Sequence, residues 1–260
     1  MVIDSGTTYS KVSNARFHTC GITTTGVLKC WGQNTNGKVG DGTTVDKLLP
    51  TVIDSGVNYK EIHTNFNHTC GITSSDELKC WGLNSSGQLG DGTSVNKLTP
   101  TVIDSGIYYK KVATSSSHTC AITVGNKLKC WGSNTNGRLG DGSGSTQLSP
   151  TPVDATTDFK SIALGSAFSC AITSNDDLKC WGHNFYGQLG DGSSSNNSAT
   201  PIIIDSGVKY SKLSLYGEDS CAKTLTEGSI KCWGYNSKGS LGLKDIFGVY
   251  PVNYVSIFKD

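Results

Sequence analysis

Proline is scarce in this chain, 6 of 260 residues, so it is not a proline-rich disordered polypeptide. Long apolar runs are missing too. The longest aliphatic stretch is Ile202-Ile203-Ile204, far from the roughly eighteen apolar residues that cross a bilayer, so no membrane span is expected. There is no excess of one charge: 22 Lys and Arg against 21 Asp and Glu give a net +1, and no basic run occurs. Electrostatics therefore offers no support for nucleic-acid binding. Met1-Val2-Ile3-Asp4-Ser5 lacks the basic start and apolar stretch of a signal peptide. No nucleophile elbow, phosphate loop or His-Glu-x-x-His helix is found. The expectation is a protein without catalytic residues, cofactor or metal. What the chain has in quantity is glycine, 32 residues, alongside abundant Ser, Thr and Asn. That composition points to many short strands and tight turns.

The sequence repeats itself. His18-Thr19-Cys20-Gly21-Ile22 recurs at 68–72 and, with Ala121, at 118–122; Phe168-Ser169-Cys170 and Asp219-Ser220-Cys221 are the fourth and fifth copies. Leu28-Lys29-Cys30-Trp31-Gly32 recurs at 78–82, 128–132 and 178–182, then as Ile230-Lys231-Cys232-Trp233-Gly234. Asn34, Gly37, Gly40, Asp41 and Gly42 follow, and each copy closes on a proline such as Pro50 or Pro100. In each copy 18–23 and 28–31 alternate around turn residues, which predicts a β-hairpin. A turn near Thr25 sets Ile22 against Leu28, Cys20 against Cys30 and Thr19 against Trp31. The small residue at 21, 71, 121, 171 and 222 is then expected to make room for the indole. Residues 32–42 read as a glycine loop, and the proline with Val52-Ile53-Asp54 as the start of a further strand. One such sheet cannot bury both faces, so copies must stack.

The run Cys-Trp-Gly-x-Asn-x-x-Gly-x-Leu-Gly-Asp-Gly at 80–92 resembles the signature of regulator-of-chromosome-condensation repeats, and His-x-Cys-x-Ile is similar to the strand before it. The resemblance covers nearly the whole chain. It implies an all-β fold, a β-propeller with four-stranded blades: one domain over 1–260, with repeats at about 1–50, 51–100, 101–150, 151–201 and 202–251 and a closing segment 252–260. Five copies imply five blades or part of the family's usual seven-bladed ring. Val2-Ile3-Asp4 and Val252-Asn253-Tyr254 hold the same repeat position, so a strand left over at an edge is expected to favour self-assembly.

Ten cysteines flank the five hairpins, predicting disulfides Cys20–Cys30, Cys70–Cys80, Cys120–Cys130, Cys170–Cys180 and Cys221–Cys232. Zinc is disfavoured, because its cysteines come two to four residues apart. Each closure contributes at most ~3 kcal/mol. Paired cysteines indicate an oxidising space: extracellular, cell-surface or periplasmic. Met1 then reads as a truncated start. The same cysteines, with the missing basic patch, argue against the family's best-known role of nucleotide exchange on a nuclear GTPase and chromatin binding.

His18, His68 and His118 share one position that Phe168 also fills, so they read as structural; His63 and His183 are loop residues without a catalytic neighbour. Asp41, Asp91, Asp141 and Asp191 read as turn caps ahead of calcium ligands. Lys29, Lys79, Lys129, Lys179 and Lys231 read as solvated strand ends ahead of a ring attracting an anion. Copies differ at 14–17, 64–67, 114–117, 164–168 and 215–219, at 43–49, 93–99, 143–149 and 193–200, and between the Asn and Gly of each loop. Exposed aromatics anchor partners, which nominates Phe17, Phe66, Phe185, Tyr186, Tyr216 and Tyr235 for contact with a protein. The expected function is an exported binding scaffold, with a fibre subunit and a glycan-binding propeller as alternatives.

Overall fold

In a computed structural model that describes residues 3–242, regular structure is almost wholly β. The first repeat is an antiparallel meander of β1 (Tyr9–Asn14), β2 (His18–Thr23), β3 (Leu28–Gly32) and β4 (Lys47–Val52). The second has β5 (Tyr59–Thr64), β6 (His68–Thr73), β7 (Glu77–Gly82) and the start of β8 (Lys97–Thr114). The later part of β8 opens the third repeat by pairing with β9 (His118–Thr123), and β10 (Leu128–Gly132) and β11 (Gln147–Val153) follow. The fourth repeat is β12 (Phe159–Leu164), β13 (Phe168–Thr173), β14 (Leu178–Gly182) and β15 (Ser198–Ile204). The fifth contributes β16 (Tyr210–Tyr216), β17 (Asp219–Thr224) and β18 (Ile230–Gly234). The chain separates into two compact units. The first runs to Val124 and takes in Trp131–Ser133 and Thr146–Pro150; the second holds Gly125–Cys130, Asn134–Ser145 and the chain from Thr151 on. The division falls inside the third repeat. Val2, the strand expected at Val252-Asn253-Tyr254 and the expected closing segment 252–260 lie outside the described residues.

The hairpin register is the expected one: Ile22 opposite Leu28, Cys20 opposite Cys30, Thr19 opposite Trp31. Its tight turn needs a left-handed residue, supplied by Gly26, Asp76, Asn126 and Asp176 at matching positions. Opposed cysteine Cα atoms lie 4.1 Å apart in Cys20–Cys30, Cys70–Cys80 and Cys221–Cys232. In Cys170–Cys180 the distance is 4.0 Å. Cys120 and Cys130 are disulfide-bonded as well.

Two expectations are corrected. The fourth strand starts before the proline, not at it: Pro50 lies within β4, where a register shift opposite Cys30 and Gly32 leaves its missing N–H unused. The small residue after the first cysteine makes room for a tyrosine rather than the tryptophan. A Cβ on Gly21 would come within 2.6 Å of the Tyr9 ring, and one on Gly71 within 2.9 Å of Tyr59. The indole instead meets the neighbouring repeat. A Cβ on Gly40 would fall 2.5 Å from Nε1 of Trp81, and Gly90 stands likewise to Trp131, Gly140 to Trp181. Gly40 has φ +92°, so both space and backbone demand glycine there. Val39, Ile62 and Trp81 join one core cluster, and Leu89, Val112 and Trp131 another. Asn34 shapes this glycine loop from within. Its Oδ1 accepts from Val39 N–H at 2.9 Å, and its Nδ2 donates to Asp41 Oδ1 at 2.8 Å and to the Thr43 carbonyl at 2.9 Å.

A buried relay crosses the same joint. His18 Nε2–H donates to Thr69 Oγ1 at 2.8 Å, and Thr69 in turn donates to the Lys38 carbonyl at 2.9 Å. His68 and Thr119 repeat the arrangement at 2.8 Å, with Thr119 donating to the Gln88 carbonyl at 2.7 Å. Nδ1 of His18 and of His68 is buried without a hydrogen-bond partner. Burial holds both rings neutral, their pKa pushed down to about 3. Since each folded pKa lies below the unfolded value, stability is full above about pH 6.5 and is lost as the pH falls towards 3, by ~1.4 kcal/mol per pH unit per histidine. Urea midpoints taken between pH 7 and 4 should therefore fall steeply. His68→Phe, the side chain found at 168, should reduce that slope by ~1.4 kcal/mol per pH unit; an unchanged slope would acquit His68.

Candidate functional site

The repeated polar residues are consumed by the framework. Lys29 Nζ lies 2.8 Å from Asp4, Lys79 2.7 Å from Asp54, Lys179 2.6 Å from Asp154 and Lys231 2.5 Å from Asp205. These lysines are thus neither open strand ends nor a free ring of charge. The same carboxylates accept the tyrosine hydroxyls, Tyr9 to Asp4 and Tyr59 to Asp54 at 2.6 Å each. In the fourth repeat Phe159 replaces the tyrosine, and Thr157 donates to Asp154 at 2.6 Å instead. The Gly-Asp-Gly carboxylates act as turn clamps: Asp41 accepts from Asn34, from Thr43 N–H at 3.1 Å and from Lys47 at 2.5 Å. His63 Nδ1 accepts from Thr114 N–H at 3.2 Å.

The nominated aromatics divide. Phe17, 44% exposed, lies in the first unit with Arg16 at 5.0 Å and Lys38 at 5.4 Å from its ring centre. Lys38 is itself buried and donates to Gln33 Oε1 at 3.1 Å and to the carbonyl of half-buried Phe66 at 3.2 Å. Burial lowers its pKa. This group serves the joint between two repeats. Tyr216, 79% exposed, has no ring partner among the described residues.

Phe185, Tyr186 and Tyr235 come together in the second unit. Phe185 and Tyr186 meet edge to face with centroids 5.1 Å apart, and Tyr186 and Tyr235 are 4.5 Å apart. His183 stacks on Phe185 at 6.4 Å, its plane inclined by 6°. Phe185 is 58% exposed and Tyr235 45%. The polar floor is Gln188: its Oε1 accepts from Tyr186 N–H at 2.8 Å, and its Nε2 donates to Glu218 Oε2 at 2.5 Å and lies 2.9 Å from His183 Nδ1. Trp233 and Ser220 both donate to the Gln188 carbonyl, at 2.9 and 3.0 Å, which fixes the loop. Burial raises the Glu218 pKa, against the opposing pull of His183, Gln188 and Arg138. Sequence reasoning found the three rings, set His183 aside as a loop residue without a catalytic neighbour, and did not mark Gln188 or Glu218. The available signal was that Glu218 is the one acid at a position held by Phe17, Asn67, Ser117 and Ala167.

One profile of the regulator of chromosome condensation (RCC1) repeat matches residues 16–38, 60–88, 109–138 and 159–188, and a second matches 77–122 and 129–172. Together these segments take in more than half of the chain. It belongs to the RCC1 repeat family. The matched segments take in the hairpin and the Trp-Gly pair of the first four copies. Among solved structures, human WBSCR16 is similar at TM-score 0.81 and 21% identity, over 92% of this chain and 65% of that one. Yeast RCC1 (Prp20), solved with bound Kap60, is similar at TM-score 0.74 and 19% identity, over 86% of this chain and 55% of that one. The receptor kinase CR4 ectodomain of Physcomitrella patens is similar at TM-score 0.58 and 17% identity, over 90% of this chain and 54% of that one. The chain thus spans 54–65% of the length of these three structures, and the likeness establishes its β-propeller fold class. No curated protein sequence matches it.

A raised carboxyl pKa costs stability once the unfolded chain ionises and the folded one resists, so the cost grows as pH rises above the ordinary carboxylate range. Glu218→Gln should accordingly be more stable relative to wild type at pH 7 than at pH 4, in parallel urea titrations. A stability difference independent of pH would remove Glu218 as a titrating group.

Proposed function

We propose that this RCC1-repeat protein is a non-enzymatic binding scaffold of an oxidising compartment, extracellular, cell-surface or periplasmic, and that it takes a protein partner on Phe185, Tyr186 and Tyr235. The observation that carries this is a set of three rings in mutual contact, partly open to solvent and held on a hydrogen-bonded floor. Rigid aromatics lose little side-chain entropy on binding and dominate interface energetics. The cluster occurs once. Positions matching Phe185 hold Thr35, Ser85, Thr135 and Ser237, and those matching Tyr186 hold Asn36, Ser86, Asn136 and Lys238. A single composite patch suits one protein partner better than a sugar site in every blade. The disulfides support the compartment. A receptor-kinase ectodomain and a Kap60-bound yeast RCC1 among the fold's neighbours are in keeping with it.

Phe185→Ala and Tyr235→Ala should each weaken partner retention on an immobilised-protein column at least ~10-fold, with the thermal midpoint unmoved. Retention that survives both changes would move the binding surface elsewhere. Retention abolished by deglycosylating the partner would favour the glycan reading.

A further inference from the structure

Acids that serve the framework of this chain are paired with cations. Lys29, Lys79, Lys179 and Lys231 reach Asp4, Asp54, Asp154 and Asp205 at 2.8, 2.7, 2.6 and 2.5 Å. Glu218 is different. It lies in the turn between β16 and β17, where its Oε2 accepts from Gln188 Nε2 at 2.5 Å and stands 3.8 Å from His183 Nδ1. Its Oε1 accepts no hydrogen bond, and no lysine or arginine is in ion-pair contact with it, among the described residues. Arg138 pulls on the carboxylate through space, more weakly than His183 or Gln188, and its side chain donates to the Thr135 and Ser166 carbonyls at 2.9 and 3.3 Å. A carboxylate drawn in to 24% exposure on a neutral amide gives up hydration without gaining a counter-charge in contact. Such a group is poor framework and a ready acceptor for a cation from outside.

The rings stand around it. Tyr235 N–H donates to the Glu218 carbonyl at 3.2 Å, and the Gln188 amide that holds the carboxylate also accepts from Tyr186 N–H at 2.8 Å. Phe185 meets Tyr186 edge to face and turns 58% of its surface to solvent. The opening belongs to the build of the repeat. Ser85 and Thr135, matching Phe185, are exposed, and Asn67 and Ser117, matching Glu218, are half-buried, in repeats with a neighbour on either side. Across the other three joints this pair of positions reads Thr35 and Asn67, Ser85 and Ser117, Thr135 and Ala167. A ring and an acid occur together only where the fourth repeat meets the fifth.

We propose, on the reading that this patch is the binding surface, that it takes an arginine side chain of the protein partner, with the guanidinium on the open ring faces and its N–H groups on the Glu218 carboxylate. Aromatic faces are negative and attract a cation. A guanidinium is planar, so it covers a ring and still presents paired donors to a carboxylate, whereas the ammonium of lysine is a compact, strongly hydrated charge. Gln188 is fixed at its carbonyl by Trp233 and Ser220 and keeps the carboxylate in place, so little reorganisation accompanies binding.

Titration of the non-reduced 260-residue chain with N-acetylarginine methylamide to about 50 mM, followed by nuclear magnetic resonance, tests this, with N-acetylcitrulline methylamide as the uncharged isostere. The ring signals of Phe185, Tyr186 and Tyr235 should report binding of the arginine compound at least ~10-fold tighter than of the citrulline one. Glu218→Gln should abolish that preference, and Phe185→Ala should weaken the arginine compound ~10-fold. Equal affinity for the two compounds overturns the proposal. So does a preference that survives Glu218→Gln, an arginine affinity unaltered by Phe185→Ala, or ring signals that neither compound moves. The wild-type comparison needs no variant, so it decides the matter even where a substitution unfolds the chain. Any of these failures leaves the patch in place as long as Phe185→Ala and Tyr235→Ala still weaken partner retention; loss of that effect overturns the patch itself.

Discussion

From the second repeat on, the tryptophan is buried by backbone that it does not own. A glycine of the preceding repeat, with no Cβ and a left-handed φ, lies flat on the indole where any side chain would collide. The rest of the architecture follows from that contact. The hairpin disulfide holds the strand that carries the tryptophan, the asparagine clamp holds the loop that carries the glycine, and the His–Thr–carbonyl relay satisfies the polar groups sealed between them. A lone repeat would leave the indole and the loop equally unsatisfied, which is why the unit is found only in series.

This joint also separates framework from function. Lysines, aspartates, tyrosines and most histidines that recur at fixed spacing are tied into pairs within or between repeats, and a recurring position therefore reports on stacking. The candidate binding surface arises where recurrence fails. Phe185, Tyr186, Tyr235 and Glu218 each depart from what the other copies hold, and the fold brings these departures to one place around Gln188. His183 illustrates the point. It is unremarkable in the sequence, yet it stacks on Phe185 and shares the amide of Gln188 with a carboxylate thirty-five residues away.

The position after the first cysteine shows how a sound inference from sequence can name the wrong neighbour. A small residue there does make room for an aromatic ring, but the ring is Tyr9 on the adjacent strand of the same sheet, whereas the tryptophan of the later repeats meets the glycine loop of the preceding one. Alternation along two strands predicts who stands opposite whom. It carries no information on which sheet will pack against the open face.

By itself the sequence determined the repeat, the hairpin register, the cysteine partners and the family, because each follows from local periodicity and from strand pairing over about ten residues. The tertiary structure alone decided which surfaces are spent and which remain. The lysine–aspartate pairs close over about twenty-five residues, the glycine–indole contacts over about forty, and the aromatic patch draws on two repeats. Contacts of that range depend on how one sheet is seated on the next, and no spacing within a single repeat encodes it.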